Sequence, residues 1–306
     1  MKKLEPLAWV GPAVLLIAAV VIWPVIEMVR SSFLQISRFG VVREVNFPAN
    51  YDKLFAEKDF ADIMVRSVVW VVAIVLLTVV ISLALAQLFN QRFPGRKVAR
   101  WALIAPWAAS VLMTAIVFKW MLDPEVGVIN LIRRDLGTFV QKVFGIEPSS
   151  LGLLSTMGGD AADQLGQAGT AMPWLIFVGV FVSVPFTTYA LLAGLATIPA
   201  DVYEAARMDG ASKMRTYWSI TLPLLRPALT VAALINMMNV FNSFPIIWAM
   251  TRGQPGYDTA TSTIFMYVLK NANLGESAAM SVVNFGMVIV LTVIFLRVSR
   301  WNREVA

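Results

Sequence analysis

The sequence contains no cysteine and no histidine. That excludes disulfides, thiolate or imidazole metal sites, and acid–base catalysis by histidine. Charge is scarce as well: 14% of residues are charged, against roughly 25% in an average soluble domain. No G-x-x-x-x-G-K-[ST] stretch occurs, so nothing here cradles nucleotide phosphates in the usual way. There is no repeat at a solenoid period and no low-complexity tail. In place of these the chain has apolar length, with 58% of its 306 residues apolar. The net charge of +6 collects in short loops rather than on a soluble face, which points to a membrane and away from nucleic acid.

A helix needs about 20 apolar residues to cross roughly 30 Å of hydrocarbon. Six runs qualify, approximately Ala8–Val29, Ser67–Phe89, Trp101–Met121, Met172–Ile198, Leu229–Met250 and Ala278–Leu296. The expected fold is therefore an all-α, multi-pass integral membrane protein with six transmembrane helices. The first run is too long for a signal peptide and lacks a small-x-small cleavage site, so it reads as a retained anchor. With the N-terminus inside, the inner segments 1–7, 90–100, 199–226 and 297–306 hold thirteen Lys and Arg against five Asp and Glu. The longer outer segments 31–66, 123–171 and 251–277 hold ten against thirteen. Both termini are thus expected in the cytoplasm. In the longest outer segment, the apolar spacing over Gly127–Phe144 predicts a helix lying on the membrane surface.

One inner segment stands apart, the mixed and charged stretch Glu204–Pro223 between two apolar runs. Asp201 and Glu204 have the spacing of an N-cap and its N3 partner. A short helix over Val202–Asp209 is expected to stop at Gly210, the residue suited to a left-handed C-terminal turn. Ser212 is expected to cap a second helix, Lys213–Thr221, ended by Pro223.

Glu204-Ala205-Ala206, then Asp209-Gly210, then Ile220-x-Leu222-Pro223 resembles the EAA coupling loop of permease subunits in binding-protein-dependent carbohydrate ABC importers. The resemblance extends through Pro185-Phe186 and Leu191–Leu195 before the loop, and through Met250–Pro255 with Asp258-Thr259 after it. Arg252 and Gln254 stand where that family usually has glycines. The resemblance implies the type I importer fold, with 1–66 as the first span and outer loop, 67–297 as the permease core and 298–306 as a cytoplasmic tail. It further implies a bacterial or archaeal cytoplasmic (inner) membrane and no catalytic or metal-binding residue on this chain. ATP and Mg would belong to two copies of a cytoplasmic ABC ATPase. A second homologous permease and an extracellular or periplasmic solute-binding protein complete the implied assembly. Glu204, Ala205, Ala206, Asp209, Gly210, Ile220, Leu222 and Pro223 would couple this chain to the ATPase.

A transport path is expected where polar groups enter apolar spans, because an unpaired amide in hydrocarbon is costly. In the fifth run Asn236, Asn239 and Ser243 are spaced to share one helix face, with Asn242 beside them. Tyr189 with Thr187 and Thr188, and Asn284 with Ser281, are further candidates. Amides and hydroxyls suit a polyhydroxyl solute, and Phe241, Phe244 and Trp248 offer rings for stacking. The same groups also serve as hydrogen bonds between helices. Two other functions fit a multi-pass chain, an ion-coupled secondary transporter and a non-transporting scaffold. The first needs ionisable groups inside the spans, and the second, fourth, fifth and sixth runs have none.

Overall fold

The structure is a computed structural model, and it describes residues 5–45, 47–144, 165–166, 168–254 and 259–299. In chain order the elements are α1 (Glu5–Ile17), α2 (Trp23–Ser32), β1 (Leu34–Ile36), β2 (Val42–Val45), α3 (Ala49–Ala56), α4 (Phe60–Asn90) and α5 (Arg96–Ala108). There follow α6 (Val111–Met121), α7 (Val128–Phe144), α8 (Ala168–Ala196), α9 (Ala200–Met208), α10 (Lys213–Thr216), α11 (Leu222–Phe241), α12 (Phe244–Met250), α13 (Ser262–Ala272) and α14 (Leu274–Val298). Wide, π-type turns at Ala18–Ile22 and Tyr217–Thr221 join α1 to α2 and α10 to α11.

All six apolar runs are helical, as expected. Five helical stretches are long and apolar enough to cross a membrane, Val10–Ser32, Phe60–Asn90, Gly169–Ala196, Lys213–Phe241 and Leu274–Val298, and all but the fourth of these correspond to whole runs. The third run differs in being divided between α5 and α6, because Ala109 and Ser110 are both extended. The fifth run is displaced and broken. Its helix begins back at Lys213, and it stops at Phe241 because Asn242 and Ser243 leave the helix. Pro245 follows in the first turn of α12, where its missing N–H suits a helix start rather than a continuing helix. The helix expected over Gly127–Phe144 is present as α7. The antiparallel β1–β2 hairpin, which pairs Leu34 with Val45 and Ile36 with Val42, is the one addition to an otherwise helical fold among the described residues.

The chain forms two compact units. The first takes residues 1–64 and 262–290. Its core is Leu54, Ile63, Phe265, Ala279 and Met280. A polar seam accompanies that core. The Asn50 amide donates to the carbonyls of Ser32 (2.8 Å) and Leu34 (2.9 Å). Ser32 and Tyr51 share a hydrogen bond of 2.8 Å. Asn273 donates to Glu276 at 3.0 Å, and Lys53 pairs with the same carboxylate at 3.4 Å. Gly275 is required here, since a Cβ on it would collide with the Leu34 carbonyl and lie 2.9 Å from the Asn50 amide.

The second unit takes residues 65–261 and 291–306. Here α8 packs along α11, with Leu191, Leu195 and Leu225 buried against Ala86 of α4. Lipid tails are as apolar as leucine, so close backbone approach and internal hydrogen bonds hold such helices together. Gly194 of α8 supplies the approach: a Cβ there would lie 2.5 Å from the Cβ of Ala228 and 2.9 Å from Leu225 Cδ1. Hydrogen bonds supply the rest. The Trp70 indole donates to the Val240 carbonyl (3.1 Å), and Ser82 donates to that of Val184 (3.2 Å).

Candidate functional site

The segment linking α8 to α11 folds as a helix, a glycine elbow and a second helix. Pro199 precedes α9 at the N-cap position, and no side chain caps the helix. The expected pairing of Asp201 with Glu204 is therefore absent, because the helix starts one residue before Asp201. Asp201 instead sits in the first turn, where a carboxylate complements the helix dipole. At the other end Gly210 has φ +72°. Its N–H donates to the Arg207 carbonyl at 3.1 Å, and that of Ala211 donates to the Ala206 carbonyl at 2.9 Å. These are the two bonds of a Schellman motif, which needs the left-handed residue between them.

Beyond the elbow, Ser212 accepts a hydrogen bond from the Arg215 N–H at 3.3 Å, the expected cap. Pro223 does not end the second helix, contrary to expectation. The wide turn Tyr217–Thr221, closed by the Leu222 N–H on the Tyr217 carbonyl, shifts the register so that Pro223 falls in the first turn of α11. A proline is tolerated there because that N–H needs no helical partner.

The eight residues expected to couple divide into two sets. Glu204, Ala205, Asp209 and Gly210 are exposed. Ala206 is buried, and Ile220, Leu222 and Pro223 are half-buried. The first set is open to solvent, and the second is turned wholly or partly away from it. Three exposed apolar side chains also belong to this segment and were not anticipated: Met208 (88% exposed), Met214 (68%) and Trp218 (59%). Trp218 donates its indole N–H to the Met214 sulfur at 3.1 Å. Their signal in the sequence was large apolar residues inside a charged segment.

The polar residues of the spans do not form one stripe. Asn236 is buried, and its Nδ2 makes no hydrogen bond among the described residues. Asn239 and Ser243 border a cavity of about 80 Å³ that Trp70, Gly179 and Ser183 also line. Asn236 does not line that cavity, so two of the three residues expected on one face come together there, Ser243 reaching it from the break after α11. Asn242 caps the C-terminal end of that helix, and its amide donates to the Met238 carbonyl one turn back, at 3.0 Å. Tyr189 donates its hydroxyl to the Arg100 carbonyl (3.1 Å), tying α8 to α5. Thr187 bonds back to Ser183 of its own helix. Phe244 and Trp248 stack on each other, with centroids 5.3 Å apart, and Phe241 is buried. Asn284 belongs to the other compact unit, where it is buried. Trp70 and Ser183 are the cavity residues that spacing within one span did not single out.

After α12 the chain turns on Arg252, the one non-glycine residue with positive φ (+57°) among those described, and on Gly253 (φ +85°). The hydroxyls of Thr251 and Thr259 bond at 2.8 Å, and Thr259 also donates to the Gln254 carbonyl at 2.8 Å. Two buried threonines thus close the turn while an arginine takes the conformation that suits glycine.

Comparison with known proteins gives one consistent answer. The family described as binding-protein-dependent transport system inner membrane component matches residues 78–303. A probable ABC transporter permease protein of Brucella suis biovar 1 is 38% identical over 295 residues, covering 96% of each chain. The trehalose/maltose transport system permease protein MalF of Thermococcus litoralis is 31% identical, over 83% of this chain and 80% of its own. Among solved structures, a chain of a bacterial ABC transporter that imports the acidic polysaccharide alginate superposes with a TM-score of 0.76 at 20% identity, covering 100% and 99% of the two chains.

Proposed function

The chain belongs to the family of binding-protein-dependent transport system inner membrane components, and from that premise we propose that it is one permease subunit of an ATP-driven importer for a sugar or related polyhydroxyl solute. Such a subunit is a transporter component and not an enzyme. ATP and Mg are bound and turned over by two copies of a cytoplasmic ATPase. A second homologous permease completes the pathway, and a solute-binding protein delivers solute at the outer face. Residues 67–297 form the permease core, and both termini lie in the cytoplasm. The carbohydrate assignment rests on the relatives' names, trehalose/maltose for one and sulfoquinovosyl glycerol for another from Agrobacterium fabrum.

One observation carries the coupling role. The α9–Gly210–α10 elbow is tightly built, yet its outer face, Glu204, Met208, Asp209 and Met214, is exposed. The inner half of the motif continues straight into α11, so force applied to the elbow reaches the span through one connected helix. For solute, the cavity beside Asn239 is the candidate path. At about 80 Å³ it is smaller than the roughly 300 Å³ of the smallest ligand pockets. The break at Asn242–Ser243 is the hinge at which we place its widening during alternating access.

The decisive experiment purifies the chain from its native membrane and asks whether a soluble ATPase accompanies it. Glu204→Lys is expected to lose that ATPase or to hydrolyse ATP without uptake. Uptake at the wild-type level by Glu204→Lys would count against coupling through this loop. For the path, Asn239→Leu removes a hydrogen bond worth about 0.5–1.5 kcal/mol, lowering uptake per assembled complex roughly 2- to 13-fold. Uptake per assembled complex at the wild-type level in Asn239→Leu would remove Asn239 from the path.

A further inference from the structure

Between α4 and α5 the chain makes a turn of fixed shape. Gly95 takes φ +82°, the rings of Phe89 and Phe93 stack, and Arg100 reaches back to donate to the Phe89 carbonyl at 2.8 Å. The Tyr189 hydroxyl bonds the Arg100 carbonyl from α8. Into this turn the sequence places Arg92, Arg96, Lys97 and Arg100 with no acidic residue among positions 90–100. None of the four pairs with a carboxylate among the described residues. The Nε atoms of Arg96 and Arg100 are buried without a hydrogen-bond partner there.

The turn also borders an open surface groove of about 580 Å³, lined by Arg92, Phe93, Gly95, Arg96, Lys97 and Val98. Its walls are half cationic and half apolar. Beside it two large apolar side chains one turn apart on α5 are exposed, Val98 (72%) and Trp101 (73%). A soluble anion has no use for those neighbours, whereas an amphiphile does. Tryptophan is the residue found at the level of lipid headgroups, and clustered lysines and arginines beside a span recognise anionic ones.

We infer that this turn is a binding site for the phosphate headgroup of an anionic glycerophospholipid, with Arg92, Arg96 and Lys97 around the phosphate and Val98 and Trp101 against the upper acyl chain. The positive charge of the turn then does more than orient the chain: it holds one lipid at the α4–α5 corner.

The test uses the full chain purified in neutral detergent, titrated with phosphatidylglycerol or phosphatidylcholine and read by native mass spectrometry. Wild type is expected to retain phosphatidylglycerol over phosphatidylcholine. Arg96→Gln with Lys97→Gln lowers phosphatidylglycerol retention about 25-fold, at about fivefold per charge, and leaves phosphatidylcholine unchanged. Arg92→Gln, at an exposed residue, lowers it about fivefold and serves should the double variant misfold. Arg96→Lys keeps the preference. Trp101→Ala weakens retention of both lipids. Millimolar inorganic phosphate does not displace the lipid. Equal retention of the two lipids by wild type overturns the site, as does an unchanged preference in both Gln variants. Displacement by inorganic phosphate would make it a free-anion site. Loss of ATPase association in the Gln variants with no change in lipid retention would make it a protein contact.

Discussion

Adding one methyl group at Gly194 tests how α8 and α11 are held together. In Gly194→Ala the new Cβ would lie 2.5 Å from Ala228 Cβ, while carbon atoms rest at about 3.5–4.0 Å. The helices must therefore separate locally by about 1 Å. Leu225 Cδ1, at 2.9 Å, is the end of a flexible side chain and can turn aside; the Ala228 methyl cannot. Overpacking of this kind costs about 1–3 kcal/mol. The site sits just before the α9–α10 elbow, so under the proposed coupling role the separation should also loosen the connection between elbow and spans. Thermal unfolding of the detergent-solubilised complex measures the first effect, and ATP hydrolysed per solute imported measures the second. Gly194→Ala with Ala228→Gly moves the methyl across the interface and should recover at least 1 kcal/mol as a double-mutant coupling. If the double variant is no more stable than Gly194→Ala, the methyl contact is not what limits the approach of these helices.

Gly210→Val forces a β-branched residue into the left-handed region at a cost of about 1–2 kcal/mol. Nothing lies within 4 Å of the added Cβ, so Gly210→Asn, which tolerates that region, should retain coupling that Gly210→Val loses; equal loss in both would mean the side chain itself is excluded by the partner. Arg252→Gly should raise stability by about 0.5–1 kcal/mol, the relieved strain less the added chain entropy, and a lowered melting temperature would contradict the turn. With no native cysteine, Met208→Cys should react with impermeant thiol reagents only from the cytoplasm and Val126→Cys only from outside; the reverse pattern would invert the chain. The Asp123 carboxylate accepts N–H bonds from Val126 (3.1 Å) and Glu125 (3.0 Å), which hold its pKa below the ordinary 3.8. The lowered folded value means the turn's protection is present above pH 3.8 and lost as the pH falls through that lower value; protection factors at the Glu125 and Val126 amides, taken against the intrinsic exchange rate at each pH, that already fall well above pH 4 would refute it.

The spans were legible because length and apolarity alone decide what crosses hydrocarbon. The elbow was legible at Gly210 and Ser212, where one residue type satisfies one backbone need. Its edges were not. Asp201 and Glu204 have capping-box spacing, yet the backbone starts the helix at Ala200, and spacing carries no information about where the first helical turn closes. Pro223 reads as a stop, but the wide turn before it absorbs the missing N–H, a register change that no local pattern announces. The polar stripe was legible only in part. Asn239 and Ser243 border one cavity although the helix breaks between them, and Asn236 does not line it. Trp70 and Ser183 come to Asn239 from other helices, so only packing assembles that cavity.

The polar seam around Gly275 has a consequence for the order in which the molecule can be made. Asn50 and Lys53 leave the ribosome about 225 residues before Gly275 and Glu276. At roughly 5–20 residues per second, the newborn chain waits on the order of 10–45 s with its early polar groups short of their late partners. The first unit therefore closes only as the last helix is delivered to the bilayer. A chain cut off before α13 would carry an open seam however well its earlier helices had inserted, with Lys53 lacking its Glu276 partner.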